Sequence, residues 1–373
     1  MKAIGIILAG GTNRRMTELT TTRAIAAMPM AGAYRAIDFA LSNMSESHIQ
    51  KVAIMTQYNT RSLHEHLSSS KWWDFGRKQG GLYIYTPTIT QDNNSWYRGT
   101  IDSIYRNISL LKESHEPYAV IASGDGIYKL NYNKVLDYHI QKRADITVVS
   151  TKLQAWEDSS RFGQIATDED GRIVNLEEKP MVESAREVSC GIYIIRRRLL
   201  IELIEKCISE DRYDFVSDIL VRYRNVKRIY AYHMDNYWSN IASVNSYYKT
   251  NMDFLKRDVR DYFFRGEGAI MTKATDFPPV KYNPGSHVKN SLIAGGSIIN
   301  GTVENSVIFK KAFIGSNCII RNSIILNDAY IGDNCVIENC IVESQNTIVA
   351  NSQYTGEPDH VRVVKETNNR YVG

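Results

Sequence analysis

The chain has 373 residues, with 43% hydrophobic and 23% charged side chains and a formal net charge of +4. These proportions are ordinary for a globular protein, and the length exceeds what one hydrophobic core usually organises, so two domains are expected. The excess of positive charge is too small, and too evenly mixed with acids, to predict a nucleic-acid partner. The first apolar run spans about eight residues, too few to cross a membrane, and predicts a buried strand instead.

The cysteines give a second indication of the protein's class. The chain has five of them, and none forms a CxxC pair. Their odd number, together with the lack of a secretory leader, predicts a reducing compartment. We therefore expect a cytoplasmic globular protein without membrane or nucleic-acid partners.

The first 250 residues alternate short apolar stretches with longer amphipathic ones. This pattern predicts an α/β domain with a Rossmann-like, mostly parallel sheet covered by helices on both faces. The expected elements are strands at Ala3–Leu8, Lys51–Thr56, Tyr118–Ala122 and Asp145–Ser150, and helices within Ala33–His48 and Thr100–Ser114. Ligands of such sheets bind at the carboxyl ends of the strands. Because Gly10-Gly11 and Gly124-Asp125 each follow an expected strand, both should lie at one crevice.

The composition changes after residue 243. An apolar stripe predicts a helix over residues 244–265, and the segment Thr275–Ser286 holds three of the eight prolines, which is typical of a linker. We therefore expect domains at residues 1–243 and 283–373, connected by a helix and linker over residues 244–282.

The C-terminal region repeats itself every 17 residues. Ser306–Phe309, Ser323–Leu326 and Cys340–Glu343 correspond to one another, each preceded by Asn, and an earlier copy lies 15 residues before the first. Aliphatic residues recur every five or six positions, which predicts a β-helix with about three clean hexapeptide-like coils. The residues expected to point inward are Ile298, Val303, Val307, Ile314, Ile319, Ile324, Ile331, Val336 and Ile341.

A β-helix of this kind serves packing and assembly more often than chemistry, because each coil buries its aliphatic residues only against its neighbours. The polar tail after Asn351 carries no functional motif. It predicts either a partly disordered end or a contact with a partner subunit.

Seven segments carry motifs, and their order along the chain matters as much as their content. They are Leu8–Gly11, Tyr34–Asn43, Thr56–Tyr58, Trp96–Thr100, Ser123–Lys129, Glu177–Pro180 and Ser189–Tyr193. In this order they resemble bacterial ADP-glucose pyrophosphorylase, the glucose-1-phosphate adenylyltransferase family of glycogen synthesis, and such a series is far more specific than one glycine turn. The resemblance covers nearly the whole chain and implies a nucleotidyltransferase domain followed by a left-handed β-helix.

That family joins glucose 1-phosphate to the α-phosphate of ATP and releases pyrophosphate, so the resemblance implies ATP as substrate and Mg²⁺ as cofactor. The sugar phosphate is already an anion, and the reaction needs no general base. It needs backbone amides, cationic side chains and Mg²⁺ that bring two anions together and stabilise the leaving pyrophosphate.

The glycine turn matches the family only in part. Gly10 and Gly11 match substrate-binding positions, and Arg15 matches a catalytic cation. Asn13 replaces a turn glycine, and Glu18 replaces a proline. Asn tolerates left-handed backbone well enough to keep the turn, but its side chain would crowd a triphosphate.

Two further departures change charge. Ile25-Ala26 stands where active members have Lys-Pro, which removes a cation that faces the triphosphate. Asp125 matches the main Mg²⁺ ligand and a catalytic position, but Asn240 replaces the second carboxylate, and an amide oxygen carries no charge. Ala242-Ser243 replaces the Gly-Thr that follows. The resemblance therefore implies weakened Mg²⁺ binding.

The sugar side of the site is better preserved. Lys179 matches the phosphate-binding cation, and Glu178 matches a partner of the sugar hydroxyls. The other matches to substrate-binding positions are Trp96, Tyr97, Gly99, Thr100, Gly124, Ser189 and Gly191. Ala33, before Tyr34-Arg35, replaces a basic residue that binds phosphorylated effectors in many members, which argues against an effector at this position.

The losses are selective, since the framework motifs stand while the triphosphate lysine, the second metal ligand and a turn glycine are gone. This pattern resembles the D-type, or regulatory, subunit of the family. We therefore predict a weakly active or inactive subunit that joins a homologous catalytic subunit, in a tetramer, and modulates it. Glucose 1-phosphate or a nucleotide is its expected small-molecule ligand.

Two alternatives stay open. The first is a competent adenylyltransferase that uses Arg14 or Arg23 as a relocated cation and Asp125 as sole metal ligand. The second is acyl transfer on the β-helix, which we rank far lower, because such enzymes usually have longer arrays and a histidine inside a coil, whereas His287 lies at the start of the array.

Overall fold

A computed structural model of the chain describes residues 2–11, 14–76, 80–88, 95–153, 159–180 and 186–366. The chain forms two compact units. The first comprises Met1–Gly11, Phe39–Thr60 and Trp73–Trp238, and the second comprises Thr12–Asp38, Arg61–Trp72 and Ser239–Gly373. The domain boundaries expected after residues 243 and 282 stay predictions.

Eight α-helices occur in the described part of the chain. They are α1 (Ala36–Glu46), α2 (Arg61–Leu67), α3 (Thr100–Tyr105), α4 (Ser109–Lys112), α5 (Tyr132–Gln141), α6 (Arg197–Ser209), α7 (Val244–Asp253) and α8 (Arg257–Phe264). The strands up to residue 240 are β1 (Ala3–Leu8), β2 (Pro29–Met30), β3 (Tyr34–Arg35), β4 (Lys51–Met55), β5 (Gly81–Tyr85), β6 (Tyr118–Ser123), β7 (Gly126–Tyr128), β8 (Ile146–Lys152), β9 (Gly163–Thr167), β10 (Ile173–Glu178), β11 (Glu187–Arg196), β12 (Ile229–His233) and β13 (Trp238–Asn240).

The remaining strands are short and belong to the C-terminal region. They are β14 (Lys281–Tyr282), β15 (His287–Lys289), β16 (Leu292–Ile293), β17 (Ile298–Ile299), β18 (Thr302–Glu304), β19 (Val307–Ile308), β20 (Phe313–Ile314), β21 (Ile319–Arg321), β22 (Ile324–Ile325), β23 (Tyr330–Ile331), β24 (Val336–Glu338), β25 (Cys340–Val342), β26 (Thr347–Ile348), β27 (Gln353–Thr355) and β28 (Arg362–Val364).

The first unit is built on a nine-stranded sheet. Its central strands run in the order β6-β1-β4-β5 and are parallel, whereas β11 is antiparallel to β6, β8 and β9. The sheet is therefore more mixed than the sequence indicated, although the expected α/β fold is confirmed. The four expected strands appear within two residues of their predicted bounds, because each apolar run is buried on both faces.

The two stretches that the sequence predicted as helical both contain helices, with narrower bounds. The stretch Ala33–His48 contains the helix α1, which starts only at Ala36 because Tyr34–Arg35 pairs with Pro29–Met30 as a small antiparallel ladder. The stretch Thr100–Ser114 contains two short helices, α3 and α4, rather than one.

One buried histidine makes the stability of the first unit depend on pH. His139 lies in α5, is 1% exposed, and its Nδ1 lies 2.8 Å from Thr147 Oγ1. Its Nε2 is buried without a hydrogen-bond partner among the described residues. Burial, together with a smaller contribution from the charge of Arg196, lowers the pKa of His139 to about 4.

We expect the free energy of unfolding to fall between pH 7 and pH 4, partly through this ring. In the unfolded chain the pKa is near 6.5, so below that pH the unfolded state binds the additional proton. Above about pH 6.5 the neutral ring contributes its full share to the free energy of unfolding. That share, roughly 3 kcal/mol, is lost as the pH falls towards 4. Urea melts at several pH values check this, with His139→Gln expected to flatten the curve. A variant curve parallel to that of the wild type would contradict the assignment.

The second unit contains three parallel sheets of five strands each, which form a left-handed β-helix. The array has five coils rather than about three, since the first copy begins at β14 and the last includes β27 and β28. Part of the expected linker, Lys281–Tyr282, is thus already a strand, and residues 353–364 of the polar tail belong to the β-helix. Residues 367–373 lie outside the described residues.

The predicted inward face of the β-helix was partly wrong by one residue. The internal core contains Val303, Ile314 and Ile331 as predicted, but otherwise uses the following neighbour of each predicted residue. Those neighbours are Ile299, Ile308, Ile320, Ile325, Ile337 and Val342. Ile298, Ile319 and Val336 are half-exposed, while Val307, Ile324 and Ile341 are buried outside this core. Because side chains alternate along a strand, a shift of one residue moves each to the other face.

The Asn residues of the repeat have a backbone role. Asn305, Asn322 and Asn339 adopt φ angles of 45°, 44° and 52°. Asn enters this left-handed region more readily than other non-glycine residues, so it allows the chain to turn between successive sheets. The Asn that precedes each repeat copy is therefore a corner residue.

The region over 244–265 forms two helices instead of the single one predicted. Ser243 caps α7, and its side chain and that of Ser246 form a reciprocal capping box. The break follows at Phe254–Lys256, before α8 begins. Tyr248 of α7 donates its hydroxyl hydrogen to Asn322 O at 2.7 Å, which attaches this helix to the β-helix. No helix in the described ranges has the length and apolar character needed to span a membrane.

Candidate nucleotide and sugar-phosphate site

The turns after β1 and β6 meet at one edge of the first unit's sheet, because these strands are parallel neighbours. The Gly124 N–H donates to Leu8 O at 3.0 Å, and the Ala9 N–H donates to Met55 O at 2.8 Å. Backbone hydrogen bonds therefore hold the Gly10-Gly11 turn beside Gly124-Asp125, where ligands of α/β sheets bind.

A cavity of about 170 Å³ lies beside the glycine turn. At Gly10, an added Cβ would lie 3.3 Å from Gln57 Cβ, whereas nothing lies within 4 Å of a Cβ at Gly11. Gly10 thus keeps the turn close to the neighbouring strand, while Gly11 faces open space. The cavity is lined by Leu8, Gly10, Gly11, Met55, Gln57, Tyr97, Gly99, Thr100 and Ser103.

Gln57 fixes the loop that carries the tryptophan motif. Its Oε1 accepts the Tyr97 N–H at 2.7 Å. Tyr97 is buried, and its hydroxyl accepts from Asn107 Nδ2 at 3.0 Å. Trp96 does not line the cavity: it is 57% exposed and stacks on Tyr58 with ring centroids 4.9 Å apart.

The other end of this loop is attached to residues 213–215. The Tyr213 carbonyl accepts the Ile101 N–H at 2.8 Å, and Thr100 Oγ1 accepts the Phe215 N–H at 2.9 Å. A Cβ at Gly99 would lie 2.4 Å from Tyr213 O, which is closer than any real contact. Gly99 is therefore required by this close backbone approach, and the loop is anchored at both ends.

Asp125 is the one carboxylate that the motifs place at this edge. Its Oδ1 accepts from Ser123 Oγ at 2.5 Å, which leaves Oδ2 for another partner. Mg²⁺ prefers carboxylate, phosphate and water oxygens, so Asp125 would supply one ligand and the substrate phosphates others. When bound, the ion would neutralise charge on the phosphates. Within the described ranges, no group of three or more His, Cys, Asp or Glu residues is arranged to hold a metal ion.

The sugar-side motif forms an ion pair. Lys179 Nζ lies 2.8 Å from Glu178 Oε1, and Lys179 adopts a left-handed φ of 46°. The hydrogen bond from Lys179 to Glu178 raises the pKa of the amine, and the charges of Asp214 and Asp125 raise it further against the effect of burial. Lys179 is therefore cationic at neutral pH, and its charge interacts with that of the Asp125 carboxylate.

Ser189 and Gly191 bring β11 close to this group. Ser189 is 8% exposed, and its Oγ accepts the Gly191 N–H at 3.2 Å and lies 3.4 Å from the Tyr193 hydroxyl. Gly191 has a φ of 70°, and a Cβ there would lie 3.3 Å from Ser123 Cβ. A glycine therefore lets β11 pass beside the strand end that carries Asp125.

Sequence reasoning missed three residues of this site. Gln57 lay in a recognised segment but received no role, and Tyr193 ended another. Asp214 lay outside every segment, yet its charge acts on both Lys179 and Tyr193. In the sequence, an Asp at position 214 indicates only a helix cap. The structure agrees with that role, since Asp214 Oδ1 accepts the Ser217 N–H at 2.8 Å.

Two family models and several curated proteins are similar to this chain. A nucleotidyl transferase family model matches residues 4–257, and a GlmU-like C-terminal hexapeptide model matches residues 277–362. The chain is 36% identical over 322 residues to a glucose-1-phosphate adenylyltransferase of Geobacillus stearothermophilus, covering 86% of this chain and 83% of that protein. Proteins of the same name from Thermotoga maritima (36% identity, 85% and 76% covered) and Bacillus subtilis (35%, 86% and 84%) are also similar.

The chain belongs to the glucose-1-phosphate adenylyltransferase family. Three positions that the family resemblance assigned to the triphosphate and metal lie in the second unit. Arg15 is exposed within a 3-10 segment, Arg14–Thr20. Ile25 is 7% exposed, in a 3-10 turn whose other members are also buried. Asn240 ends β13, and its Oδ1 accepts the Ala242 N–H at 3.0 Å. Asn13 lies outside the described residues.

Two charged residues near Ile25 in the sequence differ in their partners. Arg23 Nη2 lies 2.6 Å from Glu343 Oε1, and its Nη1 donates to Ser344 Oγ at 3.2 Å. The Arg23 and Glu343 side chains are 13% and 7% exposed. The adenylyltransferase alternative in which Arg23 acts as a relocated cation would thus break a buried ion pair. A hydrogen bond from Thr17 lowers the pKa of Glu18, which keeps this carboxylate charged.

A second cavity, of about 250 Å³, lies within the second unit. Burial lowers the pKa of Lys310, and Arg35 and Lys273 lower it further, against the opposing charge of Asp38. Asp38 Oδ1 itself lies 2.6 Å from His66 Nε2. The lining carries four basic side chains, Arg35, Lys273, Lys310 and Lys311, against the two carboxylates Glu65 and Asp328, so positive charge is in excess. The cavity is lined by Pro29, Gly32, Ala33, Tyr34, Arg35, Glu65, His66, Lys273, Thr275, Phe277, Phe309, Lys310, Lys311, Asn327 and Asp328.

Proposed function

We propose that this chain is a regulatory subunit of glucose-1-phosphate adenylyltransferase with little or no activity of its own. It would join a homologous catalytic subunit, in a cytoplasmic tetramer, and alter the kinetics of that subunit. The observation that carries the proposal is Ile25, a buried aliphatic residue where the family resemblance places the triphosphate lysine.

The chemistry explains why this position weighs so heavily. Joining a triphosphate to a sugar phosphate brings two anions together, and rate depends on positive charge that stabilises the transition state. Loss of one well-placed stabilising group commonly lowers the rate by about 10²–10³. Asn240 removes the charge of a metal ligand as well, and Glu18 adds a negative charge to the turn segment.

The retained groups fit binding better than turnover. Lys179, Glu178 and Ser189 preserve the sugar-phosphate side, and the cavity beside Gly11 preserves room for a nucleotide. A subunit that binds substrate without converting it can still change the substrate affinity of a partner subunit. This requires that the oligomer has two conformations and that they bind the ligand with different affinity.

The positively charged cavity of the second unit supports a regulatory role. Ala33 removes one expected cation, but Arg35, Lys273 and Lys310 supply three others. Burial lowers the pKa of Lys310, so an anionic ligand beside the amine would raise that pKa and be held by the charge of the ammonium group. A phosphorylated effector therefore fits this cavity, as part of the proposal.

The second candidate is a competent adenylyltransferase, and specific observations favour it. Asp125, Lys179 and the cavity beside Gly11 are all in place, and the similar proteins carry the enzyme's name. In this reading Arg14, which is exposed, replaces the missing lysine.

Pyrophosphate release from ATP and glucose 1-phosphate distinguishes the two candidates. We expect almost none from the purified chain alone, and a changed KM or effector response when it is mixed with a homologous catalytic subunit. Asp125→Ala in this chain should leave the low background unchanged, because that background would come from contaminating enzyme. Rapid turnover by the chain alone, abolished by Asp125→Ala, would reject the regulatory role and support the second candidate.

A further inference from the structure

Three consecutive residues of the first unit connect the nucleotide side of the site with the sugar side. They are Tyr213, Asp214 and Phe215, which we call the bridging segment. Its first member meets the loop over residues 96–100, which we call the tryptophan loop. Tyr213 O accepts the Ile101 N–H at 2.8 Å, and a Cβ at Gly99 would lie 2.4 Å from the same oxygen. The backbones of the two segments are therefore in direct contact.

Two further contacts attach the tryptophan loop to the bridging segment. The guanidinium carbon of Arg98 lies 4.0 Å from the centre of the Tyr213 ring, which is a cation–π contact. Thr100 Oγ1 accepts the Phe215 N–H at 2.9 Å. Because Gly99 and Thr100 line the cavity beside the glycine turn, a displacement of the bridging segment would displace that lining as well.

The other two members of the bridging segment act on the sugar side. The charge of Asp214 acts on Lys179, the cation that the family resemblance assigns to the sugar phosphate. The Phe215 ring packs against Tyr193, with ring centroids 5.0 Å apart. The Tyr193 hydroxyl in turn lies 3.4 Å from Ser189 Oγ. The bridging segment thus connects groups that the resemblance assigns to both ligands.

One carboxylate, that of Asp218, holds the bridging segment in place. Asp218 Oδ2 accepts the Tyr213 N–H at 3.0 Å and the Asp214 N–H at 2.9 Å. Its Oδ1 lies 3.1 Å from Arg212 Nη1, and the Asp218 side chain is only 17% exposed. Hydrogen bonds to an ionised acceptor are stronger than those between neutral groups. Two of the three backbone N–H groups of the bridging segment therefore depend on a single oxygen atom.

Asp218 lies outside all seven motif segments, in a π-helix over Val216–Val221. Helices of this type are rare and often occur at functional sites. The two aspartates bind each other's backbone, since the Asp218 N–H donates to Asp214 O at 3.0 Å while the Asp218 side chain accepts the Asp214 N–H. The position of the Asp214 charge is therefore set by Asp218.

We propose that Asp218 is a positioning residue for both ligands, because it holds the bridging segment against the tryptophan loop and beside Lys179. A group that touches a ligand keeps its geometry only if the residues behind it are fixed, and a displacement of about 1 Å can lower catalysis about a hundredfold. The inference rests on the proposed function only in requiring that the chain binds glucose 1-phosphate and a nucleotide.

Isothermal titration calorimetry of the full chain in the presence of Mg²⁺ tests this role. The probes are glucose 1-phosphate and an ATP analogue with a methylene group between the α- and β-phosphorus atoms, which cannot release pyrophosphate. Asp218→Ala should raise the Kd of both probes at least about tenfold, because two N–H groups lose their acceptor. Asp218→Asn keeps one oxygen for these N–H groups, so both Kd values should stay within about threefold of the wild type.

A second variant covers the case in which Asp218→Ala does not fold. Asp218→Glu keeps the charge but places the oxygens one methylene group farther from the backbone, so it should raise both Kd values at least about fivefold. A thermal melt accompanies each titration and shows whether the variant is folded at the temperature of the measurement.

Glu210→Gln is the matched control. The Glu210 carboxylate lies 3.4 Å from Arg212 Nε and also contacts Arg222, so it shares the Arg212 partner of Asp218. Its substitution should leave both Kd values unchanged. An effect as large as that of Asp218→Ala would show that the charge network around Arg212, and not the hold on the bridging segment, controls binding.

Several results would overturn the proposal. They are wild-type Kd values in a folded Asp218→Ala or Asp218→Glu, a change in the Kd of one probe only, an Asp218→Asn variant as impaired as Asp218→Ala, and a wild-type chain that binds neither probe. Unfolding of both Asp218→Ala and Asp218→Glu would assign the residue to fold stability and overturn the proposal too. Turnover of ATP by the chain alone would reject the regulatory role but leave these comparisons intact, since the analogue does not react.

Discussion

The double variant Ile25→Lys/Asn240→Asp should release pyrophosphate from ATP and glucose 1-phosphate at least about a hundredfold faster than the wild-type chain. Each substitution returns a charge that the family resemblance places at the site: a cation for the triphosphate and a second carboxylate for Mg²⁺. Stabilising groups of this kind act in the transition state, so the gain should appear in kcat as well as in kcat/KM.

The two single variants show how much of the rate increase each substitution provides. Ile25→Lys alone should raise the rate more than Asn240→Asp alone, because an amide oxygen at 240 still offers a weak ligand, whereas an aliphatic residue at 25 offers none. Ile25→Gln is the matched control, since it has similar length and polarity without the charge, and it should give no gain.

Folding must be monitored in parallel with activity. Ile25 is 7% exposed, so a lysine there is tolerated only if its amine reaches solvent or phosphate. Thermal melts of each variant distinguish a folded but inactive protein from an unfolded one. A folded double variant with wild-type activity would show that other groups limit the reaction, and it would remove the main support for Ile25 as the decisive loss.

The strands of the first unit could be predicted closely, because local burial determines them. Ala3–Leu8 is an uninterrupted apolar run next to a glycine pair, and it is buried almost throughout. The antiparallel strand β11 was missed as an element that changes the sheet from parallel to mixed. Nothing in its local pattern reveals direction, which depends on the long connections before and after it.

The β-helix shows where a repeat stops being informative. The 17-residue period located the coils, but many strands carry two adjacent aliphatic residues, such as Ile298-Ile299, Ile319-Ile320 and Ile324-Ile325. With both neighbours aliphatic, the two-residue alternation of a strand gives no preference for either face. Only the packed structure shows that the second of each pair enters the core.

The site residues divide in the same way. Gly99 could be placed by its motif, but the reason for it, the approach of Tyr213 O, lies more than 100 residues away. Asp214, 35 residues after Lys179, acts on its charge, and no local pattern connects the two residues. Motifs therefore locate the backbone of the site, while its electrostatic partners depend on tertiary structure.

Glu343→Ala should lower the free energy of unfolding of the second unit by roughly 3–5 kcal/mol, because it leaves the Arg23 guanidinium charged and buried. The pair is short, at 2.6 Å, and Glu343 Oε1 also accepts the Ser344 N–H at 2.6 Å. Chemical denaturation followed by circular dichroism measures the loss. Glu205→Ala, in an exposed pair, is the control and should cost at most about 1 kcal/mol.

A second variant separates the ion pair from the packing of its side chains. Arg23→Met/Glu343→Leu removes both charges and keeps apolar volume, so it should recover most of the loss, as replacement of buried pairs often does. Glu343 Oε2 is itself buried without a hydrogen-bond partner among the described residues, which favours this recovery. If Glu343→Ala lowers the free energy of unfolding no more than Glu205→Ala does, the Arg23–Glu343 ion pair does not stabilise the segment that contains Arg23 and Ile25. A large loss that the double variant reverses would instead show that the Arg23–Glu343 ion pair attaches the segment carrying Ile25 to the β-helix at the end of its fourth coil.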